Sequence, residues 1–339
     1  MRKNELNAHL RSYVKEHLSP TRSERALVSA VYAAVCAVLG ESACLRIGSY
    51  ARFTSNRPVH DLDVLYVLGN WGGVVPNPTN ALAELKERIA KCFVNPTSFA
   101  IQVSVQTHSV TIAFLRGDEE VFAVDIVPAY RRGHNDFGED MYMVPEILTR
   151  GHQRRRQLYE ELSRTQRGMN WIASDPRGYI HAAGDLNSQN ADFRKSVKFP
   201  KAWKAACRRV DPNFKLKSFH IEQVITGYYQ ANAELTIFDA ISRFFQELPH
   251  IIERAQIPDR ANPAVNIDEY VNELTTSERD SILRARDVFL RKLEGLTSGS
   301  DVGTLLDTES RANAVATSIA PVVQSVPFTP RAPWAHEVD

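Results

Sequence analysis

A chain of 339 residues, 43% of them hydrophobic, can bury a substantial core, and its length suits two domains better than one. Its 41 basic and 40 acidic residues leave a formal charge of +1, which excludes the overall basicity of a generic nucleic-acid or membrane-surface binder, so recognition of anions must be local. Cys36, Cys44, Cys92 and Cys207 show no zinc-type Cys/His spacing, and no window approaches the ~18 continuous apolar residues of a membrane span, so a reduced, cytoplasmic protein is expected.

In chain order, residues 22–39 carry Leu27, Val31, Ala34, Val35 and Val38 at helical spacing, with Gly40 placed to end the run. Short runs rich in Val, Ile and Phe at 44–47, 62–68, 101–105, 110–115 and 121–127 predict strands of one sheet, and a helix near 80–92 is expected to cover one face. This half reads as α+β or mixed α/β. From residue 145 helical spacing takes over, with helices expected near 146–166, 187–209, 216–229 and 235–249 and interruptions at Asp175-Pro176 and Asp211-Pro212. The clearest helix is 276–294, opened by a capping box of Thr275 and Glu278 and striped by Ile282, Ala285, Phe289 and Leu293. After Ala316 the chain holds Pro321, Pro327, Pro330 and Pro333 without periodicity, as expected of a surface strap or a disordered tail.

Chemistry concentrates in Arg46-Ile-Gly-Ser-Tyr-Ala-Arg52 and His60-Asp-Leu-Asp-Val-Leu-Tyr66. Strand periodicity points the Asp61 and Asp63 carboxylates to one side and sends Leu62 and Val64 into the core. Two ionised carboxylates this close repel unless a cation sits between them, and magnesium, a hard cation that leaves positions open for phosphate oxygens, is the natural candidate. Asp125 is a lone charge in an otherwise apolar strand that ends at Pro128, and a neighbouring metal pair would compensate it. Gly48 permits close approach of backbone to phosphate, and Ser49 supplies donors. Taken singly, a Gly-Ser turn is an ordinary connection and an Asp-x-Asp pair a solvated strand start; their order, followed by a third acid on another strand, points to in-line phosphoryl transfer with two metals.

These segments resemble the catalytic core of the DNA polymerase beta-like nucleotidyltransferase superfamily, whose members share a Gly-Ser turn, an Asp-x-Asp pair and a later single Asp. Within it the chain most resembles the bacterial cGAS/DncV-like enzymes, which make cyclic oligonucleotide signals in antiphage defence. Residues 102–108, Ser109–Phe114 and Ala123–Tyr130 are similar to the family's central strands. Trp171–Pro176 is similar to the segment entering its helical domain, and Val197–Trp203 and Leu216–Glu222 to two of its helices. The chain departs from the pattern at Phe53, where a small residue is common, and at His60, where a small polar one is.

The resemblance implies an α+β, bilobed nucleotidyltransferase fold: a mixed-sheet palm over 1–165 braced by the first long helix, a helical domain over 166–320 and a tail over 321–339. It implies that Asp61, Asp63 and Asp125 are the catalytic residues and hold Mg2+ or Mn2+, and that Gly48, Ser49, Arg52, Lys201, Lys217 and Ser218 bind substrate. Nucleoside triphosphates would be the substrates and a cyclic di- or trinucleotide the product, acting on a separate effector. A regulatory protein is an expected partner; a nucleic-acid activator and a membrane are not. Read as residues alone, Lys201 and Lys217 are equally solvated lysines, Phe219, Tyr130 and Tyr179 equally core aromatics, and the basic run 150–156 a solvated helix face. A linear oligonucleotide or RNA-tailing transferase, a tRNA-modifying toxin and an inactive binding protein are the alternatives.

Overall fold

The computed structural model of the chain describes residues 3–72, 77–147, 169–297 and 300–307. Its sheet is built from β1 (Cys44–Ile47), β2 (Asp61–Asn70), β3 (Ala100–Val105), β4 (Val110–Arg116), β5 (Glu119–His134), β6 (Asp140–Ile147) and β7 (Met169–Ser174). The strand order is β1-β2-β5-β4-β3, with β6 added to the far half of β5 and β7 to β6. Only the β2–β5 pair is parallel among the described strands. Helices α2 (Arg22–Leu39) and α4 (Pro78–Cys92) cover one face, packing Val28, Val31, Val35, Leu82 and Ile89 against Leu62, Val64, Val124 and Ile126. Helix α2 forms where the apolar stripe predicts it, opened by a capping box of Thr21 and Glu24 and ended by Gly40 at φ 98°. The one-turn helix α3 (Gly48–Ala51) links β1 to the loop before β2.

The second unit is helical: α5 (Pro176–Gln189), α6 (Phe193–Val210), α7 (Ser218–Ala231), α8 (Ile237–Ile251) and α9 (Thr276–Glu294). Its core centres on Trp203, whose ring meets Phe245 edge-on at 4.7 Å, while Phe245 stacks on Phe289 at 3.6 Å. The mixed sheet and helical second unit are the expected α+β architecture.

Several local expectations change. Residues 146 and 147, where the expected helix over 146–166 would begin, are the end of strand β6, and the rest of that segment, with the basic run 150–156, lies outside the described residues. The tail after Ala316 lies outside them too. The stretch 187–209 is two helices, because Asn190 turns its amide to the Ala233 and Leu235 carbonyls and Asp192 takes a two-pronged hydrogen bond from Arg11, at 2.7 Å per arm. Asp175-Pro176 begins a helix: the Asp175 carboxylate accepts from Gly178 N–H at 2.8 Å, and Pro176 occupies the first turn, where a missing N–H costs nothing. The first long helix, α2, buries its face in the palm core. It is α1 (Lys3–Tyr13) and the turn after it that reach the helical core, through Leu6, Leu10, Val14 and Leu18.

Candidate active site

Parallel pairing of β2 and β5 sets Asp63 opposite Asp125, with Asp61 opposite Ala123 two positions earlier. Paired residues share a face, so the alternation that sends Leu62, Val64, Val124 and Ile126 into the core turns all three carboxylates the other way. β1 runs antiparallel to β2 and places Ile47 opposite Asp63, so the α3 turn begins directly beside that acid. Gly48 has φ 68°, and a Cβ built on it would fall 1.7 Å from Asp63 Oδ2. Both the backbone conformation and the close approach of the carboxylate therefore require glycine.

Asp125 is held from the neighbouring strand. Thr111, its register partner on β4, donates a short hydrogen bond to Oδ1, and Ser109 Oγ donates to the same oxygen at 3.3 Å. Burial pushes the Asp125 carboxyl up to about 7; the Thr111 hydrogen bond opposes this and the Asp61 charge adds to it. Among the described residues no three His, Cys, Asp or Glu side chains are gathered closely enough to ligate one ion. The acids share neighbouring strands without forming a closed cage. The donor set nonetheless fits a hard divalent cation, being all carboxylate oxygen, with one carboxylate lying over a glycine where no side chain competes.

Helices α6 and α7 meet the exit of the Gly-Ser turn. Arg52 Nε donates to Glu222 Oε1 at 2.6 Å, Thr54 Oγ1 donates to Oε2 at 2.8 Å, and Lys201 Nζ lies 3.5 Å from Oε2. Glu222 is only 1% exposed, as a buried carboxylate can be when cations and donors surround it. Burial raises its carboxyl, but the Arg52 and Lys201 charges and the hydrogen bonds hold it below the usual carboxylate range. The Arg52 guanidinium also lies 5.1 Å above the Phe219 ring. Arg52 and Lys201 are thus tied to Glu222, which staples the exit of the Gly-Ser turn to α7.

Ser218 opens α7 at the positive end of the helix dipole, which favours an anion, and Lys217 precedes it. Lys204 Nζ donates to Ser218 Oγ at 3.0 Å, gathering a second ammonium at this helix end. Lys204 went unremarked in the sequence, although its i+3 spacing from Lys201 puts both on one face of α6. Phe219 meets Tyr179 edge-on at 5.0 Å, and Tyr130 packs on Trp171 at 5.2 Å within a palm-side aromatic cluster. A cavity of about 470 Å³ lies between α5, α7, α8 and residues 256–260, lined by Tyr179, Gln223, Gln230 and Arg260; none of the three acids borders it.

No family model matches the chain. By sequence it is similar to a cyclic AMP-AMP-AMP synthase of Escherichia coli (strain MS 115-1), 28% identical over 203 residues, which are 59% of this chain and 54% of that protein. The chain thus matches about half the length of this curated relative. By fold it is similar to E. coli MS115-1 CdnC solved with ATP, at TM-score 0.60 and 20% identity over 88% of this chain and 94% of that one. The same protein in complex with HORMA-deltaN gives TM-score 0.60 and 19% identity over 88% and 94% of the two chains. Elizabethkingia meningoseptica CdnE, solved with GTP and Apcpp, gives TM-score 0.51 and 14% identity over 86% and 99%. The acid strands in register and the glycine turn packed on Asp63 thus lie in a chain similar in sequence to a cyclic AMP-AMP-AMP synthase and similar in fold to CdnC and CdnE.

Proposed function

We propose that the protein is a divalent-metal-dependent nucleotidyltransferase that joins nucleoside triphosphates into a cyclic di- or trinucleotide second messenger for bacterial antiphage defence. The observation that carries this reading is the register Asp63–Asp125 beside a Gly-Ser turn. The working division is a palm over 1–165, a helical domain over 166–320 and a tail over 321–339, with the acids facing α6 and α7 across the cleft.

Asp61, Asp63 and Asp125 would hold Mg2+ or Mn2+, which when bound neutralises phosphate charge and lowers the pKa of an attacking hydroxyl. Thr111 and Ser109 hold the Asp125 carboxylate toward the site, and that carboxylate must lose its proton before it can ligate. Gly48 and Ser49 lie where the donor triphosphate would approach, and Lys217, Ser218 and Lys204 would receive its terminal oxygens. Lys201 and Arg52 would act on the same phosphates from their anchorage on Glu222. The effector for the product is a separate protein, and a regulatory protein partner fits the reading, since the similar CdnC is described in complex with HORMA-deltaN. Among the described residues no helix is long and apolar enough to cross a membrane.

The test is incubation with all four ribonucleoside triphosphates and magnesium, phosphatase treatment and mass spectrometry. The expected result is an oligonucleotide without terminal phosphates that survives the phosphatase. Linear products alone, or label transferred only to added tRNA, would replace this reading by the polymerising or toxin alternative.

Gly48→Ala tests the palm side. The left-handed backbone costs a non-glycine residue about 1–2 kcal/mol, and the added methyl must displace the Asp63 carboxylate. A catalytic group moved by ~1 Å can cost about 100-fold in rate, so turnover should fall by about that factor while circular dichroism stays native. Wild-type turnover would show that Asp63 does not need its place over the turn.

A further inference from the structure

Behind the α7 N-terminus runs a polar chain that the reading above leaves unused. Tyr270, in the 3-10 turn Glu269–Glu273, places its ring centroid 4.6 Å from Lys217 Nζ. Its hydroxyl oxygen accepts a hydrogen bond from the Lys217 backbone N–H at 3.1 Å and lies 2.9 Å from His220 Nδ1. Nε2 faces Asp268 Oδ2 at 3.5 Å, and Asp268 accepts from the backbone N–H groups of Gln256 and Ile257 at 3.0 and 3.1 Å. His220 and Asp268 are buried, at 1% and 0% exposure, whereas Tyr270 is half-buried with its ring under an ammonium. Burial first, then the Lys217 charge, holds the imidazole down to about 3, so it stays neutral through the neutral range.

The consequence concerns Lys217 and Ser218. A lysine side chain loses much rotamer freedom when it grips a ligand, and a ring that already carries its ammonium reduces that loss. The Tyr270 hydroxyl fixes the backbone from which Lys217 projects, one residue before Ser218 begins the helix. We propose that Tyr270 is a positioning residue for the donor triphosphate, acting through Lys217, with His220 anchoring it from behind. This inference rests on the reading that Lys217 and Ser218 contact the triphosphate.

The experiment is a double-mutant cycle on the full chain, titrated by calorimetry in magnesium with α,β-methylene ATP and, as a base-independent probe, inorganic triphosphate. Tyr270→Phe keeps the ring and removes the hydroxyl, and should weaken binding about 3-fold. Tyr270→Leu removes both, and should weaken it about 10-fold, with KM rising by the same factor and kcat within about 2-fold of wild type. In a Lys217→Ala background neither Tyr270 substitution should change affinity further. Equal losses in both backgrounds would mean that Tyr270 only packs, and would overturn the proposal. Equal affinity of wild type and Lys217→Ala would overturn the underlying reading of Lys217 and the proposal with it, so the two failures are distinct. If Tyr270→Leu unfolds, the Tyr270→Phe arm of the cycle decides alone.

Discussion

Asp63→Asn is expected to lower nucleotide turnover by about three orders of magnitude or more in magnesium and in manganese, the scale on which enzymes lose rate when charge stabilisation of the transition state is removed. Asparagine keeps the size of the side chain and one oxygen over Gly48, but it removes the charge a divalent ion needs. Asp61→Asn and Asp125→Asn should behave alike, because Asp61 feeds charge onto Asp125 and Asp63 pairs with it in register. The fold should not suffer: without a cation the acids repel, so removing one should leave the thermal midpoint of metal-free protein unchanged or slightly raised. Steady-state assays and thermal unfolding of the same preparations check both halves. Unchanged turnover in the Asp63 and Asp125 variants would end the assignment of these acids as metal ligands.

Glu222→Ala should destabilise the fold by about 3–5 kcal/mol, the usual cost of leaving buried charges without their partner. Arg52 and Lys201, 8% exposed each, lose their counter-charge, and Thr54 loses its acceptor. Activity should fall with stability, because Arg52 and Thr54 lead out of the turn that carries Gly48 and Ser49. Glu222→Gln preserves shape and one acceptor and should recover part of the loss. The pH dependence gives an independent sign. Glu222 is held below its unfolded pKa, so its contribution is complete above the usual carboxylate range and is lost as pH falls through the folded value. Urea unfolding of wild type should weaken on that acid limb, and Glu222→Gln should lack this part of the slope. A variant as stable as wild type would show that solvent reaches the Arg52–Glu222 pair.

How far the site was legible depended on whether its signal was local. Asp61, Asp63 and Asp125 stand out because each is a charge inside a strand alternation, and Gly48 because a turn beside a paired acid has a steric reason to be glycine. Glu222 and Tyr270 carry no such signal. Glu222 looks like any helical glutamate until Arg52, 170 residues away, is folded onto it, and Tyr270 sits in a short turn without periodicity. The same rule divides the fold. The stripe of α2 and the capping box of Thr275 and Glu278 mark their helices, while β6 carries no strand signal because Tyr142, Met143 and Val144 are buried in a continuous run that lacks alternation. Asp175-Pro176 reads equally as breaker and as helix start, and only the bond from Gly178 N–H decides.

The packing of α1 into the helical core bears on how the chain comes to be folded. Leu6, Leu10 and Val14 share that core with Val302 and Leu305, and Gly303 sits so close that a Cβ on it would meet the Tyr13 ring at 2.7 Å. Segments nearly 300 residues apart in sequence therefore close one hydrophobic cluster. During synthesis the palm strands between these segments can pair among themselves, but α1 keeps its apolar face uncovered until the helical residues of that cluster have been made. Helix α8 covers most of that face, through Ile237, Ile241 and the Phe238 N–H bonded to Asn7, and the Gly303 contact with Tyr13 is the part of the packing that is synthesised last among the described residues.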